Sequence, residues 1–425
     1  MGVIVQMNEK RLLILGSAED FVKLTQYAVK RGIYTVVADA RWGEAKKFAT
    51  KSYTVELDDH ELIDQIIREE KIDHVLTSYS DILFEMMVKI SERNDLPCYC
   101  TEIKMRYLRD KFLMKQMLEK LGIKTQKAQL INSVQLKEKD IQISYPCVIK
   151  PLDSWGSRGL RIVHNFAEVQ TCLKDCMQYS TDGNSALLEC INYGYELNVM
   201  SWVKDGKIFL MEFGDRETTG MTLDVLPHQA REIFPSVFYY ELENEVRQLL
   251  KKIADFCGIR EGPLSMQFFY EDGEIYVGEV TGRFFGCHQG IMPVINGIDL
   301  NELLVNMIYF PEENNTILKK EKNALDHYTI ALYLLPEKGI VKSFGNVMSF
   351  KNEHCDDFTV YVKPNVSTSM ETWIARIYAH FKTRDEADAY TENLYANMFV
   401  PGLDDKNLVM PNKLTQYDGK KWKKL

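Results

Sequence analysis

The sequence predicts an α/β protein whose first part is a parallel sheet covered by helices. Short apolar strands alternate with amphipathic helices between residues 11 and 105, and this rhythm is typical of a parallel sheet. The 425 residues of the chain are enough for two or three domains of roughly 150 residues each. Hydrophobic residues make up 45% of the chain, which is sufficient for a core without disulfides or a structural metal.

The N-terminal elements follow one another at short intervals. Strands are predicted at residues 11–15, 34–38, 53–57 and 74–77, and helices at residues 21–31 and 62–71. The turn after the first strand reads Gly16-Ser17-Ala18-Glu19, which is not the GxGxxG pattern of dinucleotide-binding domains. The unit therefore looks Rossmann-like, but this turn gives no reason to infer NAD or FAD.

The rest of the chain mixes helices and strands in an α+β pattern. Helices are predicted at residues 106–123, 242–256 and 300–309, and strands at residues 145–151, 159–163, 186–191 and 197–203. Two further strands, at residues 264–270 and 274–280, form a hairpin across Glu271-Asp272-Gly273. Residues 311–323 are expected to be a polar linker, followed by strands and one helix near residues 369–380.

Charge and composition exclude several classes of function. The net charge of −9 makes the chain a poor general nucleic-acid binder. No apolar run approaches the roughly 18–20 residues that span a bilayer, and the first apolar run is too short for a signal peptide. Nine cysteines, an odd number, indicate a reducing compartment. We expect a cytoplasmic protein that binds neither nucleic acid nor a membrane.

A lysine before a glycine-bearing loop is the first candidate site. Lys150 ends a predicted strand, and the loop that follows it contains Ser154, Gly156, Ser157 and Gly159. Glycines let a backbone approach a ligand closely, so the N–H groups of such a loop can surround phosphates while the lysine adds a positive charge. The order of residues is not that of a P-loop. An ordinary hairpin with one exposed lysine would give the same pattern.

Two glutamates at the end of a predicted strand form the second candidate. Glu189 precedes the apolar edge at Cys190 and Ile191, whose backbone groups can hydrogen-bond an adenine ring, and Glu196 follows seven residues later. The two carboxylates could accept hydrogen bonds from an amino group and from ribose hydroxyls. Alternatively both are surface carboxylates, as most glutamates are.

The hairpin supplies the third candidate, a set of oxygen ligands for a divalent cation at Gln267, Glu279 and Thr281. A two-residue turn would place Gln267 and Glu279 on opposite faces, whereas a three-residue loop with a bulge at Gly273 would place them side by side. In the second case Glu279 could be the one carboxylate of a Mg²⁺ site that is completed by phosphates. The alternative is a single exposed glutamate on a strand.

The order and spacing of these residues resemble the ATP-grasp superfamily of carboxylate–amine ligases. The matching residues, in chain order, are Lys111, Lys150, Glu189, Glu196, Gln267, Glu279 and Arg283. Residues 268–281 are especially similar to the branch that contains biotin carboxylase and the large subunit of carbamoyl-phosphate synthase. The resemblance implies a Rossmann-like pre-ATP-grasp domain at residues 1–105, a two-lobed ATP-grasp domain at 106–305 with its lid near 124–190, and a smaller C-terminal α+β domain at 306–425.

The resemblance also implies a role for each candidate residue. The nucleotide-binding set would be Lys111 and Lys150 at the phosphates, Ser154, Gly156, Ser157 and Gly159 in the phosphate loop, Glu189, Cys190 and Ile191 at the adenine, and Glu196 at the ribose. Lys150 and Arg283 would be catalytic, the arginine by steadying an acyl phosphate. The metal ligands for Mg²⁺, with Mn²⁺ as a substitute, would be Glu279, Gln267 and Thr281.

This sequence departs from the family pattern at two of the metal positions. Gln267 stands where the family usually has Glu or Asp, and Thr281 stands where it usually has Asn. One negative charge is therefore lost. The sequence leaves open whether the site holds one metal ion, holds two, or is inactive.

The activity implied by the resemblance is ATP-dependent ligation. A small carboxylate, such as an amino acid, would be activated as an acyl phosphate and attacked by an amine, with release of ADP and phosphate. The alternatives are a carboxylase that uses carboxyphosphate and a nucleotide-binding protein with lapsed catalysis. Candidates for the substrate side are His288, which could equally be structural, and residues 218–231 with His228 and Arg231. A homodimer would be common for this fold.

Overall fold

A parallel four-stranded sheet forms the N-terminal part of the chain. The computed structural model describes residues 9–153, 159–219, 228–369 and 372–411, and the backbone of 417–418 and 421–422. The strands run in the order β3-β2-β1-β4, all parallel, and comprise β1 Arg11–Leu15, β2 Tyr34–Asp39, β3 Lys51–Thr54 and β4 His74–Leu76. Its helices are α1 Val22–Lys30, α2 His60–Glu69 and α3 Asp81–Arg93.

The apolar sequence of β1 explains its place in the middle of this sheet. Leu12, Leu13, Ile14 and Leu15 are all fully buried, as expected of a parallel strand covered by helices on both faces. Helices α2 and α3 begin where Asp59 and Ser80 accept hydrogen bonds from backbone N–H groups of the first turn. The predicted Rossmann-like alternation is therefore confirmed, with the third strand at 51–54 rather than 53–57.

A second, smaller sheet follows the short helices α4 Glu102–Met105 and α5 Lys111–Lys120. Its strands run in the order β5-β8-β6-β7 and comprise β5 Ala128–Ile131, β6 Cys147–Lys150, β7 Arg161–Val163 and β8 Ala186–Cys190. Helix α6, Phe166–Met177, packs on this sheet and shares its separate apolar core. The unit covers the residues near 124–190 where we expect a lid, and its role as a lid stays a prediction.

An eight-stranded antiparallel sheet forms the centre of the molecule, in the order β13-β12-β9-β10-β11-β14-β16-β15. The strands are β9 Tyr195–Lys204, β10 Lys207–Thr219, β11 His228–Phe234, β12 Glu261–Glu271, β13 Glu274–Thr281, β14 Tyr328–Leu334, β15 Cys355–Val360 and β16 Ala375–Phe381. Helix α7, Tyr239–Cys257, connects β11 to β12 and ends at Gly258, whose φ is +71°. Because β14 pairs with β11, the C-terminal strands continue this sheet.

Helices and one short hairpin complete the fold. They are α8 Met292–Asn296, α9 Leu300–Tyr309, α10 Pro311–Ile317, α11 Arg384–Asn397, and the paired strands β17 Tyr417–Asp418 and β18 Lys421–Trp422. One large core joins the N-terminal sheet to the central sheet, and another lies under β14, β16 and α11. Within the described ranges, no helix is long and apolar enough to cross a membrane.

Two predictions for the C-terminal part are wrong. The expected polar linker at 311–323 is helical, because Pro311 starts a turn of helix and Leu318 and Ala324 bury apolar surface behind it. The helix expected near 369–380 is the strand β16, and the helix α11 lies after it. Thr383 and Glu386 form a capping box at the start of α11, which fixes that boundary.

Candidate active site

Two lysines converge on one buried carboxylate of the smaller sheet. Lys150, the last residue of β6, lies 2.8 Å from Glu189 Oε1, and Lys115 of α5 lies 2.7 Å from Glu189 Oε2. Burial alone would raise the pKa of Glu189, but the positive charges of Lys150 and Lys115 outweigh it and hold this pKa below its usual range. The carboxylate of Glu189 thus fixes both lysines. Because the Glu189 carboxylate is occupied, an adenine ring would have to bind the backbone of Cys190 and Ile191. This contact stays a prediction.

Lys115 was missed by sequence reasoning. It lies one helical turn after Lys111 on the same helix, and its amine also donates to Gln126 O and Thr125 Oγ1, each at 2.9 Å. The i,i+4 spacing of two lysines on a short helix before the lid was a signal that could have found it.

Lys111 is hydrogen-bonded to the segment that follows β6 and lies within electrostatic range of β13. It is the first residue of α5, whose N-cap is Asp110, and its backbone N–H donates to Leu152 O at 2.9 Å, two residues after Lys150. Burial lowers the pKa of the Lys111 amine, the carboxylate of Glu279 opposes that shift, and the positive charge of Lys150 adds to it. The two predicted phosphate lysines and the predicted metal carboxylate therefore lie within electrostatic range of one another.

The hairpin places Gln267 and Glu279 side by side. It does so by combining a two-residue turn with a bulge, which neither of the two predicted turns included. Glu271 pairs with Glu274 across a two-residue turn, with φ of +52° at Asp272 and +80° at Gly273. That turn alone would put the two side chains on opposite faces. A bulge at Gly278 shifts the register by one residue, so Gln267 and Glu279 become direct partners.

The donor set fits a Mg²⁺ ion that takes most of its ligands from phosphates. Glu279 is exposed, and directly paired residues have Cβ atoms about 4.5–5.5 Å apart, so a cation beside Glu279 can reach the amide oxygen of Gln267. In the described part of the chain, no group of three or more acidic, histidine or cysteine side chains is gathered as a metal cage. Thr281 is buried and donates to Asp81 at 3.1 Å, so its role as a ligand stays a prediction.

Glu196 is held by its neighbours on two adjacent strands. Arg216 of β10 lies 2.6 Å from its carboxylate, and the side-chain amide of Gln267 donates to the same oxygen. The predicted ribose ligand is therefore fixed next to the predicted metal site. Arg216 was not among the candidate residues, because the sequence pattern did not predict strand β10, which carries it.

Arg283 is engaged by an aspartate from the N-terminal unit. Its Nε donates to Asp81 Oδ1 at 2.7 Å, its Nη2 bonds the other carboxylate oxygen, and its Nη1 donates to Phe284 O at 2.8 Å. Asp81 was also missed. It follows β4 at the carboxyl edge of the parallel sheet, where ligand-binding residues of such sheets gather, and that position was the available signal.

Comparison with known proteins identifies the architecture. Residues 143–290, which run from the lid through the paired strands β12 and β13 to Arg283, match the family model of the ATP-grasp domain. This part of the chain is similar to the ATP-grasp domain. The predicted assignment to ATP-grasp ligases, with ATP and Mg²⁺ as cofactors, is confirmed at the level of this family.

The curated relatives of this chain include formate-dependent phosphoribosylglycinamide formyltransferases. The protein from Nitratiruptor sp. is 25% identical over 284 residues, which are 66% of this chain and 71% of that protein. The protein from Methanocaldococcus jannaschii is 23% identical over 278 residues, 64% of this chain and 69% of that protein.

Solved structures share the fold over nearly the whole chain. The L-amino acid ligase from Bacillus licheniformis superposes with a TM-score of 0.74 at 15% identity, covering 95% of this chain and 99% of that one. The N5-carboxyaminoimidazole ribonucleotide synthetase from Thermotoga maritima superposes with a TM-score of 0.66 at 17% identity, covering 91% of this chain and 97% of that one.

The predicted phosphate loop is described only at its ends. Ser154, Gly156 and Ser157 lie outside the described residues. Gly159 has a φ of +75°, and a Cβ atom there would lie 2.7 Å from the ring of Tyr179, so both the backbone and the packing require glycine. At the other end Asp153 Oδ1 accepts from the N–H of Thr181 at 3.0 Å.

His288 is buried between two glutamates. Its two ring nitrogens bond Glu212 and Glu232, and all three side chains are buried. Burial raises the pKa of Glu212, against the opposing effect of the His288 charge. Of the two sequence interpretations of His288, this environment favours the structural one over contact with substrate.

The candidate substrate segment at 218–231 is only partly described, and residues 220–227 lie outside the description. Arg231 is buried, bonds Glu217, and pairs with Asp388 of α11 at 2.6 Å. Its neighbour Glu232 bonds His288 instead, and successive strand residues point to opposite faces, so Arg231 anchors α11 on the face away from His288. Burial lowers the pKa of His228.

Proposed function

We propose that this protein is an ATP-dependent ligase that activates a small carboxylate as an acyl phosphate and transfers the acyl group to an amine. The observation that carries the proposal is that Lys111, at the start of α5, lies within electrostatic range of both Lys150 of β6 and Glu279 of β13. Two cations and one exposed carboxylate are suited to holding a triphosphate with its divalent ion.

The reaction has two displacement steps, the first at phosphorus and the second at carbon. A carboxylate oxygen attacks the γ-phosphorus and ADP leaves; the amine nitrogen then attacks the acyl carbon, and phosphate leaves while the amine loses a proton to solvent. The bound Mg²⁺ would supply charge neutralisation on the phosphates, held by Glu279 with the amide oxygen of Gln267. Lys111 and Lys150 would bind phosphate oxygens, and Arg283 would bind the oxygens of the acyl phosphate.

The names of the relatives and of the solved neighbours support a class of substrate. The curated relatives are named as formate-dependent transferases to phosphoribosylglycinamide, and one solved neighbour is named as an L-amino acid ligase. A carboxylate no larger than an amino acid is common to both names. We therefore propose formate or an amino acid as the carboxylate and a primary amine as the acceptor.

The test is a phosphate-release assay with ATP and Mg²⁺. Formate or single amino acids are supplied with an amine panel, and hydroxylamine is added in parallel to trap an acyl phosphate as its hydroxamate. We expect phosphate release that requires the carboxylate, and hydroxamate from the same carboxylate. Lys150→Ala should abolish both signals, whereas Lys251→Ala, which removes an exposed lysine paired with Asp255 on α7, should leave them unchanged.

Two outcomes would contradict the proposal. Release of phosphate that depends on bicarbonate alone would make the protein a carboxylase. Binding of ATP without any phosphate release across the panel would make it a nucleotide-binding protein with lapsed catalysis.

A further inference from the structure

From the N-terminal unit, Asp81 contacts Thr281 at the end of β13 and Arg283 just beyond it. Its carboxylate forms a two-pronged ion pair with the guanidinium of Arg283 and accepts a hydrogen bond from Thr281 Oγ1 at 3.1 Å. Thr281 ends β13, two residues after Glu279, and Arg283 follows two residues later. One carboxylate of the N-terminal unit thus holds the end of the strand that carries the predicted metal carboxylate.

The backbone brings these elements together by close packing. Gly282 lies between Thr281 and Arg283, and a Cβ atom there would lie 2.7 Å from the ring of Phe84, three residues after Asp81 on α3. The hydroxyl of Tyr99 donates to Gly282 O at 2.7 Å. Only a glycine lets α3 approach this strand so closely, so the position of Asp81 relative to Arg283 is fixed by packing as well as by charge.

The surroundings of Asp81 keep its carboxylate ionised. It is the first residue of α3, where the helix dipole favours a negative charge. Burial alone would raise its pKa, but the positive charges of Arg283 and Arg109 outweigh burial and hold the pKa of Asp81 below its usual range. The ion pair therefore persists at neutral pH.

We propose that Asp81 is a positioning residue for the reaction, because it orients the guanidinium of Arg283 toward the acyl phosphate from the N-terminal side. This inference rests on the proposed function. It adds that the N-terminal unit, which supplies none of the predicted nucleotide contacts, sets the geometry of the group transfer. A two-pronged pair to one edge of a guanidinium fixes the plane of that group, which a single hydrogen bond would not do.

The same helix offers a matched control. Arg93 at the end of α3 forms a comparable pair with Asp64 of α2, with Arg93 Nε 2.9 Å from Oδ1 and 3.0 Å from Oδ2. This pair lies on the surface of the N-terminal unit. Asp64→Asn therefore removes an aspartate–arginine pair of the same kind without touching Arg283.

The experiment compares Asp81→Asn, Asp81→Glu and Asp64→Asn with the wild type in the ligase assay. For Asp81→Asn we expect kcat to fall on the order of 10²-fold, as for a misplaced catalytic group, with the KM for ATP and the binding of a non-hydrolysable ATP analogue unchanged. Asp81→Glu should recover part of the lost rate because it restores the charge. Asp64→Asn should turn over like the wild type.

A double variant separates positioning from a general effect on folding. If Asp81 acts through Arg283, Asp81→Asn should slow the Arg283→Ala protein by no more than about two- to threefold. Full additivity of the two effects, or wild-type kcat for Asp81→Asn, would overturn the inference. Failure of the proposed function would look different, because the wild type itself would then release no phosphate with any carboxylate and amine.

Discussion

Gln267 and Glu279 are direct partners on neighbouring strands although a two-residue turn joins those strands. The bulge at Gly278 reconciles the two facts, since it adds one residue to β13 only. Bulges of this kind re-aim side chains next to active sites. The chain thereby keeps a tight, regular turn and still presents an amide oxygen beside an exposed carboxylate.

Glu279→Gln should remove the Mg²⁺ dependence of nucleotide binding. The variant keeps the shape of the side chain but removes the exposed carboxylate, so the cation loses its charged protein ligand. Thermal unfolding with a non-hydrolysable ATP analogue, with and without Mg²⁺, measures this; a ligand at about 100 times its Kd stabilises the wild type by roughly 2.7 kcal/mol. Glu274→Gln, at the exposed turn of the same hairpin, is the control. An unchanged metal dependence in Glu279→Gln would mean that the cation binds elsewhere.

Gln267→Glu should tighten Mg²⁺ binding. A second carboxylate beside Glu279 adds negative charge to the site, and we expect the Mg²⁺ concentration at half-saturation to fall by about tenfold. Titration of Mn²⁺ by its electron paramagnetic resonance signal, in the presence of the ATP analogue, counts the bound ions at the same time. Gln267→Met, which has no oxygen ligand, should raise the Mg²⁺ concentration at half-saturation. If neither change moves it, residue 267 does not contact the metal.

Glu189→Gln should destabilise the protein as well as the site. The substitution removes the carboxylate that pairs with both the buried Lys115 amine and Lys150, and breaking a buried ion pair costs about 3–5 kcal/mol. Urea unfolding monitored by fluorescence gives the change in the free energy of unfolding. Glu353→Gln, at an exposed turn before β15, should cost little. Equal stability of the two variants would show that Glu189 does not neutralise the lysines.

Glu70 should make the N-terminal unit sensitive to acid. Burial would raise its pKa, but hydrogen bonds from Lys51, Tyr53 and Tyr34 lower the pKa of Glu70 to about 2. A carboxyl group with a depressed pKa stabilises the fold fully above its unfolded value near 4.5, and this contribution is lost as the pH falls toward 2.

The measurement is the urea midpoint as a function of pH for the wild type and Glu70→Gln. We expect the difference in stability between the two proteins to be constant above about pH 5 and to shrink steadily below it. A difference that does not change between pH 5 and pH 2 would show that Glu70 has no depressed pKa.

The sequence was most informative where structure follows from local pattern. The buried strand β1 is a continuous apolar run, and α7 has regular amphipathic spacing, so both were predicted within a few residues. The order of Lys111, Lys150 and Glu279 carried enough of the family pattern to predict three residues that the fold brings within electrostatic range of one another.

The sequence was least informative where a residue takes its meaning from a distant partner. Strand β10 buries Glu212, Asp215 and Glu217, which look like surface residues until His288, Arg384 and Arg231 are in place. Asp81 and Lys115 were not predicted for the same reason. No neighbouring residue in the sequence indicates that Asp81 pairs with Arg283 or that Lys115 pairs with Glu189. The bulge at Gly278 depends on strand pairing that no local pattern encodes.

The pairing of β11 with β14 has a consequence for synthesis on the ribosome. The parallel N-terminal sheet is built from neighbouring segments and can form while the chain is still being made. The central sheet cannot be completed then, since β11 must wait for a strand translated after α7, the hairpin and three further helices. Until that strand emerges, one edge of β11 has no partner, and this interval is when the nascent chain is most exposed to pairing with a wrong strand and most in need of a chaperone.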